Sequence, residues 1–252
     1  LARGPNPRAL RWSALFVWAL ALASTAWADG ETVRVARVLD GDSLLLSDGR
    51  QVRLIGINTP EFGRDGAAHQ PGAVEARART AALAEGREIV LVFDAERKDR
   101  HGRSLAYVVL EGGRELQEYL LAEGLAWYVA IPPNLARLSR YRELERAARE
   151  ARRGVWSDPS YRAVPAVRLA PGDTGFRRIE GRVERVRYTK RFVRLELGGR
   201  TSIVVPREDW RYFPRAPETY VGRRLVARGW VGEYKGLLRL RISHPAMIEV
   251  LH

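Results

Sequence analysis

The stretch LDGDSLLLSDGRQVRLIGINTPE, residues 39–61, carries oxygen-bearing side chains at both ends and one arginine, Arg53, inside an apolar run. A purely structural hairpin needs none of them. Asp40-Gly41 is a turn signal, and Asp48-Gly49 is the strongest two-residue hairpin signal. With Asp48-Gly49 as a two-residue turn, Ser47 faces Arg50, Leu44 faces Arg53 and Asp42 faces Ile55. Asp42 and the segment Ile57 to Glu61 then leave the same open end of the hairpin. Asp42, Asn58, the Thr59 carbonyl and Glu61 can share a site made only of oxygens, which suits a hard cation such as Ca2+. Arg53 can grip a phosphate oxygen beside that cation in a two-pronged geometry.

The flanking pattern supplies the elements that must hold these groups. Val33 to Leu39, Ser43 to Ser47 and Gln51 to Ile57 read as three short strands, and Glu88 to Phe93 and Ser104 to Leu110 as two more. The Ala-rich stretch Pro71 to Glu85 reads as a helix stopped by Gly86, and Glu115 to Glu123 as a short helix closed by Gly124. Pro132-Pro133-Asn134 opens a longer helix to Arg153, with Asn134 as N-cap. Leu135, Leu138, Tyr141, Leu144 and Ala148 recur on it at helical spacing, as a core stripe does. Residues 159–175, rich in proline and glycine, have no sustained period and read as a linker.

These pieces bring the chain into resemblance with the thermonuclease, or staphylococcal nuclease-like, family. The matching motifs are DGDS (40–43), VRLIGINTPE (52–61), DRHGRSLAYV (99–108), LLAEGLAWY (120–128) and GVWSD (154–158). Several ordered motifs at compatible spacings are more specific than any one. The resemblance covers roughly residues 31–158. It implies an oligonucleotide-binding β-barrel with three helices, and Ca2+-dependent hydrolysis of DNA and RNA phosphodiesters. By position it makes Asp42 and the Thr59 carbonyl Ca2+ ligands, and Glu61 the group that orients or deprotonates water. Arg53 and Arg103 would clamp the phosphate and stabilise the charge of the transition state. The chemistry asks for the same parts, since an anionic phosphodiester resists attack until its charge is neutralised. One position departs: Asn58 stands where the family has a second acidic ligand. It keeps an oxygen but loses a charge, which lowers Ca2+ affinity or broadens metal preference.

Blander readings stand beside these. Asp40 is most simply a turn former. His69 and His101 each stand alone in a polar loop, where solvent exposure accounts for them. Trp156 reads as a core anchor.

The rest of the chain differs in charge. Of 43 Lys/Arg and 30 Asp/Glu, residues 29–162 hold 21 of each, whereas 163–252 hold 19 basic against 9 acidic. Beyond the linker the pattern is all-β, with Val193/Leu195/Leu197 and Leu238/Leu240/Ile242 alternating against charged residues. About five strands in that length suggest a small, closed, oligonucleotide-binding-like barrel over 176–252. The fold class is therefore a β-rich α+β chain of two barrels. Arg187, Lys190, Arg191 and Phe192, with Trp210, Arg211 and Tyr212, interleave cations and aromatics as single-strand binders do. The alternative is that these aromatics are core and the arginines a solvated face. With a basic module retaining the polymer, a cut near Pro165 should leave a nuclease that still cleaves.

Arg3, Arg8 and Arg11 precede the apolar run Trp12 to Ala23, and Ala26-Trp27-Ala28 follows as a small-x-small site. This reads as a 28-residue secretory signal cut before Asp29. The run is shorter than the roughly 20 residues of a spanning helix, so stable membrane insertion is not expected. The absence of cysteine excludes disulfides, thiolate metal sites and a cysteine nucleophile. The sequence thus leads to an exported, monomeric, periplasmic or secreted protein with DNA or RNA as partner. Two rivals remain: a catalytically weak nucleic-acid-binding protein of the same fold, and an envelope protein using its arginines on anionic lipid.

Overall fold

The computed structural model describes residues 30–63, 66 and 68–251; the expected export signal, 1–28, lies outside the described residues. The first half begins with β1 (Glu31–Asp40), β2 (Ser43–Leu46), β3 (Gln51–Leu54) and β4 (Ile57–Asn58). Next come α1 (Ala73–Ala84), β5 (Glu88–Lys98), β6 (Ser104–Val109) and α2 (Leu116–Ala122). β7 (Trp127–Tyr128) and α3 (Leu138–Glu150) complete it. Five strands close a barrel in the order β1-β2-β3-β6-β5, and β4 with β7 forms a separate two-stranded ribbon. Alternation fills the barrel from one face of each strand: Leu44 and Leu46, Val52 and Leu54, and Ile89 and Leu91 are all buried. α1 buries Ala73, Ala76, Thr80 and Ala84, a spacing that puts one small-residue stripe against the barrel.

The hairpin departs from the expected register. Leu46, not Ser47, pairs with Arg50, and Gly49 has φ +86° and donates to the Leu46 carbonyl. The loop is therefore three residues long with glycine in the left-handed conformation, the next commonest hairpin connection after the two-residue turns. Arg53 consequently faces Ser43 instead of Leu44, one step closer to Asp42. Asn134 is not a helix cap either. α3 begins at Leu138, and the Asn134 amide bridges to the Glu96 backbone, accepting from its N–H at 2.8 Å and donating to its carbonyl at 2.9 Å. Its side chain joins the outer end of β5, a long-range partner that local capping rules do not see.

The second half contains β8 (Val164–Pro165), β9 (Gly175–Arg182), β10 (Arg185–Tyr188) and β11 (Phe192–Glu196). β12 (Thr201–Pro206), β13 (Arg224–Tyr234), β14 (Leu237–Arg241) and β15 (Ile248–Leu251) follow. The sheet order is β10-β11-β12-β14-β13-β9-β8, with β15 also on β13. The expected closed barrel is thus an open sheet. Its corner lies at Val183-Glu184, where the Val183 N–H donates to Arg223 and the next N–H, Glu184, to Glu196. Successive backbone groups reach opposite neighbours, so β9 and β10 follow each other around the bend without a ladder between them.

The proline- and glycine-rich segment 159–175 is packed. It holds two short 3-10 turns and β8, which runs parallel to β9 (Val164 opposite Ile179). The halves also meet directly. Arg228 donates to both Glu145 carboxylate oxygens at 2.7 Å, with both side chains 3% exposed. The Tyr128 hydroxyl donates to the Ala246 carbonyl at 2.7 Å, and the Trp127 ring stacks on Phe176 at 4.9 Å. Among the described residues no helix is long and apolar enough to cross a membrane.

Candidate active site

Asp42 sits between β1 and β2, at the end of the barrel where the chain enters and leaves the hairpin, and is only 6% exposed. The approach is close: a Cβ on Gly41 would lie 2.6 Å from Thr59 Oγ1 and 2.9 Å from Ala76 Cβ, so the turn needs glycine there. The Gly41 carbonyl in turn accepts from the buried Thr80 hydroxyl of α1 at 2.8 Å. One Asp42 oxygen accepts from the Thr59 N–H at 3.0 Å, the other from the Ser43 hydroxyl at 3.3 Å. Arg53 Nη1 forms an ion pair with the same carboxylate. Arg53 Nη2 donates to Asn58 Oδ1 at 2.8 Å, and Asn58 Nδ2 donates to the Thr59 carbonyl at 3.0 Å. The one-step shift in hairpin register thus brings Arg53, Asp42, Asn58 and Thr59 to one point.

The electrostatics there are unbalanced. Burial pushes the Asp42 carboxyl up to about 6, Arg53 opposes this, and the neighbouring Asp40 carboxylate adds to the rise. Asp40 also accepts the Asp42 N–H at 3.0 Å. A desolvated carboxylate that one guanidinium does not fully compensate is a natural cation ligand. The donors nearby (Asp42 oxygens, Thr59 carbonyl, Asn58 amide oxygen) are all hard oxygens, so the chemistry of the set fits Ca2+. Its anionic charge is low: among the described residues no three acidic or histidine side chains group to hold a metal. Asn58 spends its amide on both Arg53 and the Thr59 carbonyl, which ties the arginine to the would-be ligand.

Glu61 and Arg103 frame this centre without touching it. Glu61 is exposed, and its backbone is fixed by Gln70, whose Oε1 accepts from Glu61 N at 3.0 Å and whose N–H donates to Glu61 O at 3.0 Å. In the parallel β3–β6 pair Arg53 lies opposite Leu105, so Arg103, two residues earlier, projects from the same face as Arg53. Asp99 holds it, accepting from Nε at 2.7 Å and from the backbone N–H at 3.0 Å. Partial burial alone would raise the Asp99 carboxyl; Arg103 and the backbone N–H groups of His101 and Arg103 outweigh it and hold it below its usual range.

Sequence reasoning passed over Ser43, Gln70, Thr80 and Asp99. Only Asp99 had a local signal, the i,i+4 pairing with Arg103 inside a turn. Ser43, Gln70 and Thr80 act on backbone or neighbouring groups, a role that residue type alone does not announce.

In the second half Lys190, Arg191 and Phe192 line a groove of about 620 Å3 with Arg194, Trp230, Tyr234, Arg239 and Arg241. The other candidates are elsewhere. Arg187 pairs with Glu196 at 2.9 Å. Trp210 stacks on Phe213 at 4.3 Å and donates to the Arg215 carbonyl, as a packing residue does. Arg211 lies over the Tyr212 ring in the same 3-10 turn. The sequence reading put all seven in one interface; the fold assigns three of them to the groove.

The family described as staphylococcal nuclease homologue matches residues 51–158 of this chain. The thermonuclease of Staphylococcus hyicus is 36% identical over 135 residues, which cover 52% of this chain and 79% of that protein. The thermonuclease of Staphylococcus intermedius is 39% identical over 134 residues, covering 50% and 77%. A micrococcal nuclease of Shigella flexneri is 35% identical over 157 residues, covering 56% and 82%.

Proposed function

We propose, from the premise that this chain belongs to the staphylococcal nuclease family and is a nuclease, that it hydrolyses DNA or RNA phosphodiesters with Ca2+ held at Asp42 and Thr59. The observation that carries the reading is the meeting of Arg53 with Asp42, Asn58 and Thr59 at the open end of the hairpin. Bound there, Ca2+ would supply a positive charge against the phosphate oxygens and so lower the cost of attack on an anionic diester.

The residues of the chain do the rest. Arg53 presents a fork whose current acceptors, the Asp42 carboxylate and the Asn58 amide, resemble the oxygens of a phosphate. Arg103 approaches from the adjacent strand on the same face, so two guanidiniums meet the charge that grows as the nucleophile adds. Glu61 is exposed, on a backbone fixed by Gln70, and its role is to orient a water and take its proton. The leaving oxygen departs opposite the attacking one, as in-line displacement at phosphorus requires.

The groove on the second half supports a further part of the reading, that a single strand is held there. Arg241 lies over the Phe192 ring at 5.9 Å and Arg239 over Tyr234 at 4.3 Å, and Arg194 Nε and Arg239 Nε are buried without a partner. A basic trough with aromatic faces binds a strand without reading its sequence. The amino-terminal signal-like segment supports export, and the enzyme is proposed to act as a monomer outside the cytoplasm.

The test is cleavage of single- and double-stranded DNA and RNA by the full-length chain in a series of divalent ions and in chelator. Ca2+-dependent loss of substrate is expected. Binding without cleavage in every metal would leave the alternative, a nucleic-acid-binding protein disabled at Asn58.

A further inference from the structure

A second polar cavity lies between the two halves, about 210 Å3 in volume. Trp127 and Trp156 line it from the first half, Tyr161 from the connecting segment, and Phe176, Arg177 and Arg178 from the second. Arg228 also lines the cavity, and the charges of the cluster it joins do not cancel. Arg228 is satisfied by Glu145 at 2.7 Å and by Glu249 at 3.1 Å, and Arg149 by Glu249 at 2.9 Å. Three arginines share two glutamates, and among the described residues Arg178 has no salt bridge. Its Nη1 donates only to the Tyr161 carbonyl at 3.4 Å, and its buried Nε has no partner. The indole N–H groups of Trp127 and Trp156 are likewise buried without acceptors. A half-buried cation without a salt bridge is costly to desolvate, and three buried donors without acceptors add to that cost. Burial, with Arg149 and Arg228 nearby, outweighs the attraction of Glu249 and Glu145 and lowers the Arg178 guanidinium to about 10, an environment that favours an anion.

We propose that this cavity is an anion site for a phosphate group of the nucleic-acid strand, bound by Arg178 at the junction of the two halves. The size fits: 210 Å3 is below the roughly 300 Å3 at which pockets for whole small molecules begin, and ample for a phosphoryl group. Phosphate offers the negative charge and strong acceptor oxygens that the Arg178 guanidinium lacks here. The position fits too. Gln70 and Pro71 form part of the lining, and Gln70 is the residue that fixes the Glu61 backbone. A strand cut beside Glu61 therefore passes this cavity on its way towards the basic second half. The identity of the phosphate carrier rests on the nuclease reading; the existence of the anion site does not.

The experiment uses the full-length protein without Ca2+ and inorganic phosphate as probe, followed by tryptophan fluorescence and by the thermal midpoint. Phosphate is expected to raise the midpoint of the wild type and of Arg53→Lys alike, since a ligand of the folded state stabilises it. Arg178→Met is expected to weaken phosphate binding at least tenfold, and Arg178→Lys by a smaller factor because charge remains while the fork is lost. In the absence of phosphate, Arg178→Met should unfold at the same temperature as the wild type or higher, because a half-buried charge without a salt bridge has gone. A single-stranded oligonucleotide should displace inorganic phosphate from the wild type. Undiminished phosphate affinity in Arg178→Met, or a phosphate response abolished by Arg53→Lys, would overturn the site. A lowered midpoint in phosphate-free Arg178→Met would make Arg178 a packing residue instead. Failure of the oligonucleotide to compete would overturn the substrate assignment, and none of these readouts depends on turnover.

Discussion

The two halves of this chain lay their strands in the same order and come to different ends. In the first the path runs first-second-third-fifth-fourth through β1, β2, β3, β6 and β5, with the third and fifth strands parallel. In the second the same path runs through β10, β11, β12, β14 and β13 and returns to β9, again with the third and fifth parallel. The first closes by hydrogen bonds and covers itself with helices. The second passes its corner through Val183-Glu184 and carries 3-10 turns between its third and fourth strands. Charge follows the same division, balanced in the first half and strongly positive in the second. One strand order therefore carries two different surfaces. What separates them is the polar furniture at the hairpin's open end, present in the first half, and the basic aromatic groove, present in the second.

The sharpest way to break the comparison is to remove chemistry from the first half alone. Arg103 is partly exposed and, among the described residues, forms a salt bridge with Asp99 alone, so Arg103→Ala should fold normally while turnover falls about a thousandfold, near 4 kcal/mol of barrier. Steady-state rates beside an unchanged thermal midpoint check it. Arg53 is the poorer probe, because its loss would also strand the buried Asp42 carboxylate.

Next in size is the joint between the halves. Arg228→Met leaves Glu145 buried without its partner and should cost about 3 kcal/mol of stability, read from denaturant unfolding. Glu145 also accepts the Tyr128 N–H at 2.8 Å, and Tyr128 pairs with Ile57 in the ribbon that carries Asn58. Cutting the chain near Pro165 would expose this whole path. The truncated protein is therefore expected to lose activity along with polymer affinity. Full activity on short substrates after truncation would show that the second half is a retention module and nothing more.

A smaller effect sharpens the metal assignment. In Asn58→Asp a carboxylate oxygen would face the Thr59 carbonyl where the amide now donates at 3.0 Å, an opposition that a bound cation relieves. The Ca2+ concentration for half-maximal activity should fall roughly tenfold, about 1.4 kcal/mol of binding. Calorimetry showing equal Ca2+ affinity would remove Asn58 from the coordination shell. The smallest effect belongs to the groove. Lys190→Ala combined with Arg191→Ala should flatten the dependence of log affinity on log salt for long single strands by about 1 to 2 units. Binding isotherms at several salt concentrations check it, and an unchanged slope would take the strand out of the groove.

Local pattern named Asp42, Arg53, Asn58 and Thr59, which the fold brings together, because each belongs to a motif with its own turn or strand signature. It misjudged the hairpin because Asp48-Gly49 is compatible with a two- or a three-residue loop. Only the pairing of Leu46 with Arg50 decides between them. That single step determines whether Arg53 faces Leu44 or Ser43. Trp210, Arg211 and Tyr212 pose a related ambiguity. A run of cations and aromatics has the same composition whether it lines a groove or packs a turn.

By itself the sequence determined the five barrel strands and three helices of the first half, though not the β4–β7 ribbon, along with the candidates at its hairpin and the division of charge along the chain. Those are consequences of local preference and composition, which need no partner distant in sequence. Only the tertiary structure decided that residues 159–175 are packed, that the second sheet stays open, and that Arg228 and Glu145 bury an ion pair across the halves. It alone left Arg178, among the described residues, without a salt bridge. These depend on groups separated by many residues, and a charge is paired or orphaned only after the fold has placed its neighbours.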